Sequence, residues 1–180
     1  MAEAIVVSTK QFTEMTRKQA VGFMPQPEIQ PVRARLAELV GDRYVVDIGC
    51  GKADEVSNLF AAEKYLGIDC SPELIRIARR NNPGYIFLRC DAMDMTSHPC
   101  AIIKAVLEHL PPAEALTIYN HVRSITEVMY VAWHTEPGKE KLSTYDGELG
   151  VMLQNRHDRK LFHGITSTEI CGKHVIWTVI

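Results

Sequence analysis

The chain lacks the features that would place it in several common classes. Its five cysteines, Cys50, Cys70, Cys90, Cys100 and Cys171, are odd in number and include no C-x-x-C pair. Neither a disulfide framework nor a zinc knuckle is therefore expected, and reduced thiols are. Histidines at metal-ligand spacing, such as H-E-x-x-H, are also missing, so no metal is expected. No stretch reaches the roughly 20 apolar residues of a membrane span. The opening M-A-E-A-I-V-V-S-T-K has no basic segment ahead of a long apolar core, so neither export nor anchoring is expected, and cytoplasmic residence is. Twenty Lys and Arg against 22 Asp and Glu, a formal net charge of -2, leave no cationic surplus that would point to nucleic acid. Repeats and low-complexity tracts are absent.

What remains is an ordinary globular composition, 46% hydrophobic and 23% charged over 180 residues. A chain of this size buries roughly 70% of its unfolded surface and needs no staples. One domain over residues 1–180 is the expectation, with a helical cap segment at 1–43 and a core at 44–180. In the cap, Gly22 to Pro31 carries three prolines and a glycine and so divides two helical pieces. The second piece places Val32, Leu36, Leu39 and Val40 on one face, as a packing helix would.

From Tyr44 onward, short apolar runs alternate with helical patterns, which is how a parallel sheet covered on both faces reads. Strands are expected at Tyr44–Ile48, Tyr65–Ile68, Tyr85–Leu88, Ala101–Val106 and Val128–Trp133. A helix is expected over Asp54–Ala62. Another begins with Ser71 as N-cap, Pro72 at the first helical position and Glu73 in the first turn. A third runs from Ala113 to Ile125. Only Asp91 to Pro99 separate the third and fourth strands, too few for a regular crossover helix. Thr166–Ile170 and His174–Ile180 flank Cys171-Gly172-Lys173 as a hairpin. The fold class expected is α/β, with a Rossmann-like, doubly wound, mostly parallel seven-stranded sheet and an antiparallel C-terminal hairpin strand.

In such a sheet, ligands bind beyond the carboxyl ends of the strands. The residues there are Asp47-Ile48-Gly49-Cys50-Gly51, then Asp69, Asp91, Glu108-His109 and His134. V-V-D-I-G-C-G brings backbone close to a ligand, because glycine presents no side chain to block it. A dinucleotide fingerprint would continue as G-x-G-x-x-G. Here Asp54 stands at that last position, and its carboxylate would repel a pyrophosphate. Asp69, 18 residues beyond Gly51, suits a ribose, whose hydroxyls donate to one carboxylate. A nucleoside with a cationic, phosphate-free tail meets these conditions, and S-adenosylmethionine is the common one. Local roles compete with this reading: Asp69 and Asp91 also suit an N-cap or a turn.

V-V-D-I-G-C-G-K-A-D, Y-L-G-I-D-C-S-P-E-L-I-R-I-A-R-R-N, F-L-R-C-D-A-M-D and I-I-K-A-V-L-E-H-L-P-P together resemble class I S-adenosylmethionine-dependent methyltransferases. The likeness is to the small-molecule, quinone-biosynthesis-like branch, methyltransferase type 11, and covers roughly Tyr44 to Ile125. It implies that Gly49 and Gly51 approach the methionine part through their backbones and that Asp47 places its amino group. It also implies that Asp69 takes the ribose hydroxyls, that Cys50 within the turn borders the cofactor and that Cys70 flanks the adenine. Asp91 would receive the exocyclic amine, and Ala92 would offer its backbone N–H to a ring nitrogen. The reaction implied is methyl transfer to an oxygen, nitrogen or carbon of a small-molecule acceptor. His109, and His134 after the fifth strand, are the candidate bases, a histidine being able to accept a proton near neutral pH.

Three departures from the family stand out. Ala53 replaces a third glycine, Cys100-Ala101 replaces the aspartate that often opens the fourth strand, and Lys104 ends that strand where a small or polar residue is usual. A buried lysine needs an acid such as Glu108, or an anionic group of the substrate. Phe12, Met15, Phe23 and Met24 suit either a lid or core packing, with Arg17 or Lys18 meeting the methionine carboxylate. Two other readings stay open: a noncatalytic S-adenosylmethionine-binding partner or activator protein, and an NAD(P)-dependent oxidoreductase, against which Asp54 argues.

Overall fold

The computed structural model describes residues 30–54, 56–107, 110–134, 161–171 and 174–180. Seven strands among them form one sheet: β1 (Val45–Ile48), β2 (Tyr65–Asp69), β3 (Ile86–Arg89), β4 (His98–Lys104), β5 (Thr126–His134), β6 (Ile165–Cys171) and β7 (His174–Val179). Their spatial order is β3-β2-β1-β4-β5-β7-β6. β1 pairs in parallel with β2 and β4, β2 with β3 and β4 with β5, whereas β7 runs antiparallel to both β5 and β6. The order turns back at β1, so β1 and β4 diverge there to opposite connections and leave a crevice at their carboxyl ends.

Strand alternation sorts the core into two layers. On one face, Val45, Cys100, Ile102, Tyr130 and Ile176 pack beneath helix α1 (Gln30–Val40), which buries Val32, Leu36 and Val40, and beside helix α2 (Pro72–Asn81). On the other, Val46, Ile48, Ala101, Ile103 and Val131 pack with Tyr119 and Val122 of helix α3 (Pro112–Ile125). An Arg35–Glu169 ion pair, 2.8 Å, ties α1 to β6. No helix among the described residues is long and apolar enough to cross a membrane.

The start of α2 follows its capping signals: Ser71 Oγ accepts from Leu74 N–H at 3.4 Å, and Pro72 opens the helix. The short link between β3 and β4 holds only a 3₁₀ turn, Ala92–Asp94. The helix expected over Asp54–Ala62 is not formed; a 3₁₀ turn at Val56–Asn58 and another at Ala62–Lys64 stand in its place. The cause is local. Ala53 takes a left-handed φ of 50°, its carbonyl is claimed by Asn82 Nδ2 at 3.0 Å from the end of α2, and the chain leaves the turn off a helical path. Asp54, Ser57 and Asn58 are also weak helix formers. β4 ends at Lys104 and not at Val106, because Ala105 adopts φ 53°. The domain limits 1–43 and 44–180, and the cap residues Phe12 to Met24, fall wholly or partly outside the described residues.

Candidate functional site

The turn after β1 is held from two sides. Gly49 N–H and Cys50 N–H both donate to Ile68 O, each at 2.9 Å, so the turn is laced to the neighbouring strand. Gly51 N–H donates to Asp69 Oδ2 at 3.1 Å, and Ser71 N–H to Asp69 Oδ1 at 2.8 Å. Gly49 and Gly51 have φ of 70° and 59°, a region L-residues rarely enter. A Cβ on Gly49 would also collide with Val106 Cγ2, whereas one on Gly51 would meet nothing within 4 Å. Gly49 is thus required by packing as well as by conformation. Gly51 faces open space, the cradle that a ligand approaching the backbone needs.

Asp69 is 8% exposed. Burial pushes its carboxyl up from the ordinary value, and the two backbone N–H groups oppose that shift. Each oxygen of a carboxylate can accept more than one hydrogen bond, so the bonds to Gly51 and Ser71 leave capacity for ribose hydroxyls. The local-role reading of Asp69 is therefore true and does not compete with the ligand reading. Asp91, exposed at the end of β3, accepts from Met93 N–H at 3.0 Å as the cap of its 3₁₀ turn, with Ala92 half-buried in that turn. Cys70 lies half-buried between Asp69 and the buried Ser71.

Asp47, on β1, points to the face covered by α1. Its Oδ2 accepts from the Tyr65 hydroxyl at 2.7 Å. Burial raises its pKa, opposed first by the field of Lys104, then by the Tyr65 bond and the field of Arg33. Cys50 packs behind it, and burial together with Asp47 and Asp69 pushes the thiol far up, so it stays protonated and is no nucleophile. A cavity joins these groups, lined by Arg33, Asp47, Cys50, Asp54, Tyr65 and Lys104 among apolar neighbours. Lys104 thus faces Asp47; Glu108, the other acid expected for it, lies outside the described residues, as does His109. His134 is the last residue of β5, in register with His174 of β7.

The structure brings Asp47, Gly49, Cys50, Gly51, Asp69 and Cys70 together around one turn, with Asp91 and Ala92 at the end of the strand beyond. Sequence reasoning missed Tyr65 and Asn82. Tyr65 opens β2, and a strand-opening tyrosine carries no motif; Asn82 has the ordinary look of a helix-ending residue.

Residues 45–127 match the family model described as a methyltransferase domain. That stretch runs from β1 into β5 and contains the glycine turn, Asp69 and Asp91. The fold is similar to that of magnesium protoporphyrin IX methyltransferase from Synechocystis PCC 6803, solved with S-adenosylhomocysteine bound: TM-score 0.67, 16% identity, 94% of each chain covered. It is also similar to 1,6-didemethyltoxoflavin-N1-methyltransferase from Burkholderia thailandensis, solved with 1,6-didemethyltoxoflavin and S-adenosylhomocysteine: TM-score 0.69, 15% identity, 99% of this chain and 92% of that one. A third likeness is to mitomycin 7-O-methyltransferase, with TM-score 0.68, 17% identity, and 96% and 60% covered. No curated protein matches the sequence. At such identities the likeness is one of fold. The fold is the one these methyltransferases share, and the expected likeness to class I methyltransferases is borne out in the matched domain and in the fold.

Proposed function

We propose that this chain is an enzyme that transfers a methyl group from S-adenosylmethionine to an oxygen, nitrogen or carbon of a small molecule, and that it does so as one cytoplasmic domain. The observation that carries the reading is the shared carboxylate of Asp69, which fixes the glycine turn through Gly51 and stands beside the cradle that Gly51 leaves open. A nucleoside needs both features, and Asp54 beside Asp47 disfavours a diphosphate there.

Within this reading Asp69 holds the ribose hydroxyls, the backbones of Gly49 and Gly51 border the amino-acid part, and Asp47 receives its ammonium. Asp91 and Ala92 meet the adenine, with Cys70 at its side. The bound donor supplies a methyl group already made electrophilic by its sulfonium. The protein's task is to align an acceptor in line with the S–CH₃ bond and exclude water, which contributes roughly 7–11 kcal/mol to such a step. Where the acceptor carries a proton, His109 and His134, both next to carboxyl ends of strands in the sequence, are the candidates to remove it.

Calorimetry with S-adenosylhomocysteine tests the donor. Wild type is expected to bind and Asp69→Ala to lose binding; unchanged affinity in Asp69→Ala would remove this residue from the site. Turnover of methyl-labelled donor with pools of small metabolites separates an enzyme from a noncatalytic binding partner. In the same assay His109→Ala is expected to bind donor normally and lose turnover.

A further inference from the structure

Two neighbouring strands are each followed at once by a cysteine, Cys70 after β2 and Cys90 after β3. Asp69 and Arg89 are the last pair in register, and the ladder runs one bond further, Cys90 N–H donating to Asp69 O at 3.2 Å. Cys70 and Cys90 are therefore the next pair across these parallel strands, and alternation turns both side chains to one face. Cys90 packs against the layer that holds Leu66 and Ile68, and Cys70 stands two residues beyond Ile68. Both are half-buried, within reach of a small solute. Cys50 belongs to the other layer, with its Sγ 3.0 Å from where a Cβ on Gly67 would lie. Cys100 is buried in that layer too, and Cys171 ends β6.

Neighbouring strands run about 4.8 Å apart, within the roughly 4.4–6.8 Å between the Cα atoms of a disulfide. Side chains in such a pair stand abreast at the strand spacing, against roughly 3.5–4.5 Å between bridged Cβ atoms, so closing the bond draws the two ends together by about half an ångström. Both ends can give, because past them the chain leaves the sheet toward opposite faces, Ser71 into α2 and Asp91 into the 3₁₀ turn beside Met95. A bridge off its ideal spacing is also readily reduced, which suits a reversible bond and not a structural one. Hydrogen peroxide supplies the oxidant. One sulfur attacks a peroxide oxygen, the O–O bond breaks, hydroxide leaves and a sulfenic acid remains. The second sulfur attacks that sulfur, the S–S bond forms and the S–O bond breaks, releasing a second hydroxide. The two thiol protons turn both hydroxides into water, and two electrons have passed from sulfur to oxygen. The Cys90 thiol, held above its ordinary value first by burial and then by the Asp94 and Asp91 carboxylates, suits the second step, which proximity favours, better than the first.

We propose that Cys70 and Cys90 are a reversible dithiol pair, bridged by hydrogen peroxide, and that the bridge narrows the donor site on its adenine side. The second half rests on the function proposed above, in which Cys70 flanks the adenine and Asp91 receives its exocyclic amine. Drawing Cys90 toward β2 carries the adjoining Asp91 with it and takes that carboxylate out of line with the amine.

Peptide mapping tests the bond. The full chain is reduced, exposed to hydrogen peroxide, alkylated at its remaining thiols, digested without reduction and mapped by mass. Expected is the peptide of Cys70 joined to that of Cys90, lighter by the two thiol hydrogens. Calorimetry on the same sample is expected to show S-adenosylhomocysteine weakened about tenfold, the scale of one charge-assisted hydrogen bond. Dithiothreitol should restore the affinity, which separates a disulfide from the higher sulfur oxides. Cys90→Ser is expected to bind as the reduced wild type does and to lose the response to peroxide. Absence of the joined peptide, or an equal loss of affinity in Cys90→Ser, overturns the proposal. A joined peptide in a sample that binds as tightly as the reduced protein overturns the control of the donor site. The mapping needs no ligand, so a reduced wild type that fails to bind S-adenosylhomocysteine overturns the function proposed above, while the joined peptide alone decides the disulfide.

Discussion

Tyr65 and Asp47 meet across the β1–β2 pair, two residues out of register, since Val45 opposes Tyr65 and Asp47 opposes Gly67. The Tyr65 side chain is buried at 3% exposure, and its hydroxyl fixes the direction of a carboxylate that burial would sooner keep protonated. Because the Asp47 pKa is raised in the fold, chiefly by burial, the folded state holds this proton more tightly than the unfolded state. Its contribution to stability therefore declines as pH rises from the ordinary carboxylate range through the raised titration. Asp47→Asn, which keeps an acceptor for the Tyr65 hydroxyl, is expected to melt above wild type at neutral pH, with the gap closing toward acid, while donor binding falls. Melting curves over a pH series, beside calorimetry, check this; a gap that persists in acid would be the wrong sign. That Asp47, Gly49, Gly51 and Asp69 gather around one turn was legible in the sequence, because strand ends and glycines mark themselves. The Tyr65 bond was not, since it depends on how two strands come into register.

The glycine turn and the end of α2 act as one element, although Ala53 and Asn82 are 29 residues apart. Asn82, 5% exposed, spends both amide hydrogens on carbonyls, Ala53 O at 3.0 Å and Ala78 O at 3.2 Å. It thereby braces a left-handed alanine, a conformation that costs an L-residue roughly 1–2 kcal/mol. Asn82→Leu is expected to destabilise by about 0.5–1.5 kcal/mol for each side-chain hydrogen bond lost, since Ala53 O keeps the Val56 N–H and Ala78 O the backbone N–H of residue 82 as donors. In an Ala53→Gly background the loss should be smaller, because glycine holds the conformation without a brace; urea denaturation of the four proteins measures the coupling. This brace also explains why the expected Asp54–Ala62 helix was misread. Its residues alone allowed a helix, and the geometry that forbids one is imposed by a side chain from another element. By contrast, Ser71-Pro72-Glu73 starts its helix through neighbours in the chain, and that start was read correctly.

At the scale of the molecule, the two hydrophobic layers follow from alternation within β1, β4 and β5, and the strand types were therefore open to reading. Strand order was not, because periodicity alone does not say which strand lies beside which. The sheet has two outer strands, β3 and β6, and β3 carries exposed Ile86 and Leu88, at 58% and 45%. Cys90 N–H donates to Asp69 O, so in this parallel pair the even-numbered residues turn their polar groups toward β2 and Phe87 turns its own outward. Arg79 of α2 closes on that outward carbonyl with two N–H groups, at 3.1 and 2.6 Å. A bare apolar border strand is a template on which other chains can stack. The guanidinium occupies the acceptor that the first incoming strand would need, and a charge sits where it would dock. Arg79→Ala is expected to leave donor binding intact and to increase light scattering on storage at high concentration, and equal scattering would show that the border is protected by other means. A single arginine on α2 thus bears on whether the protein stays dispersed.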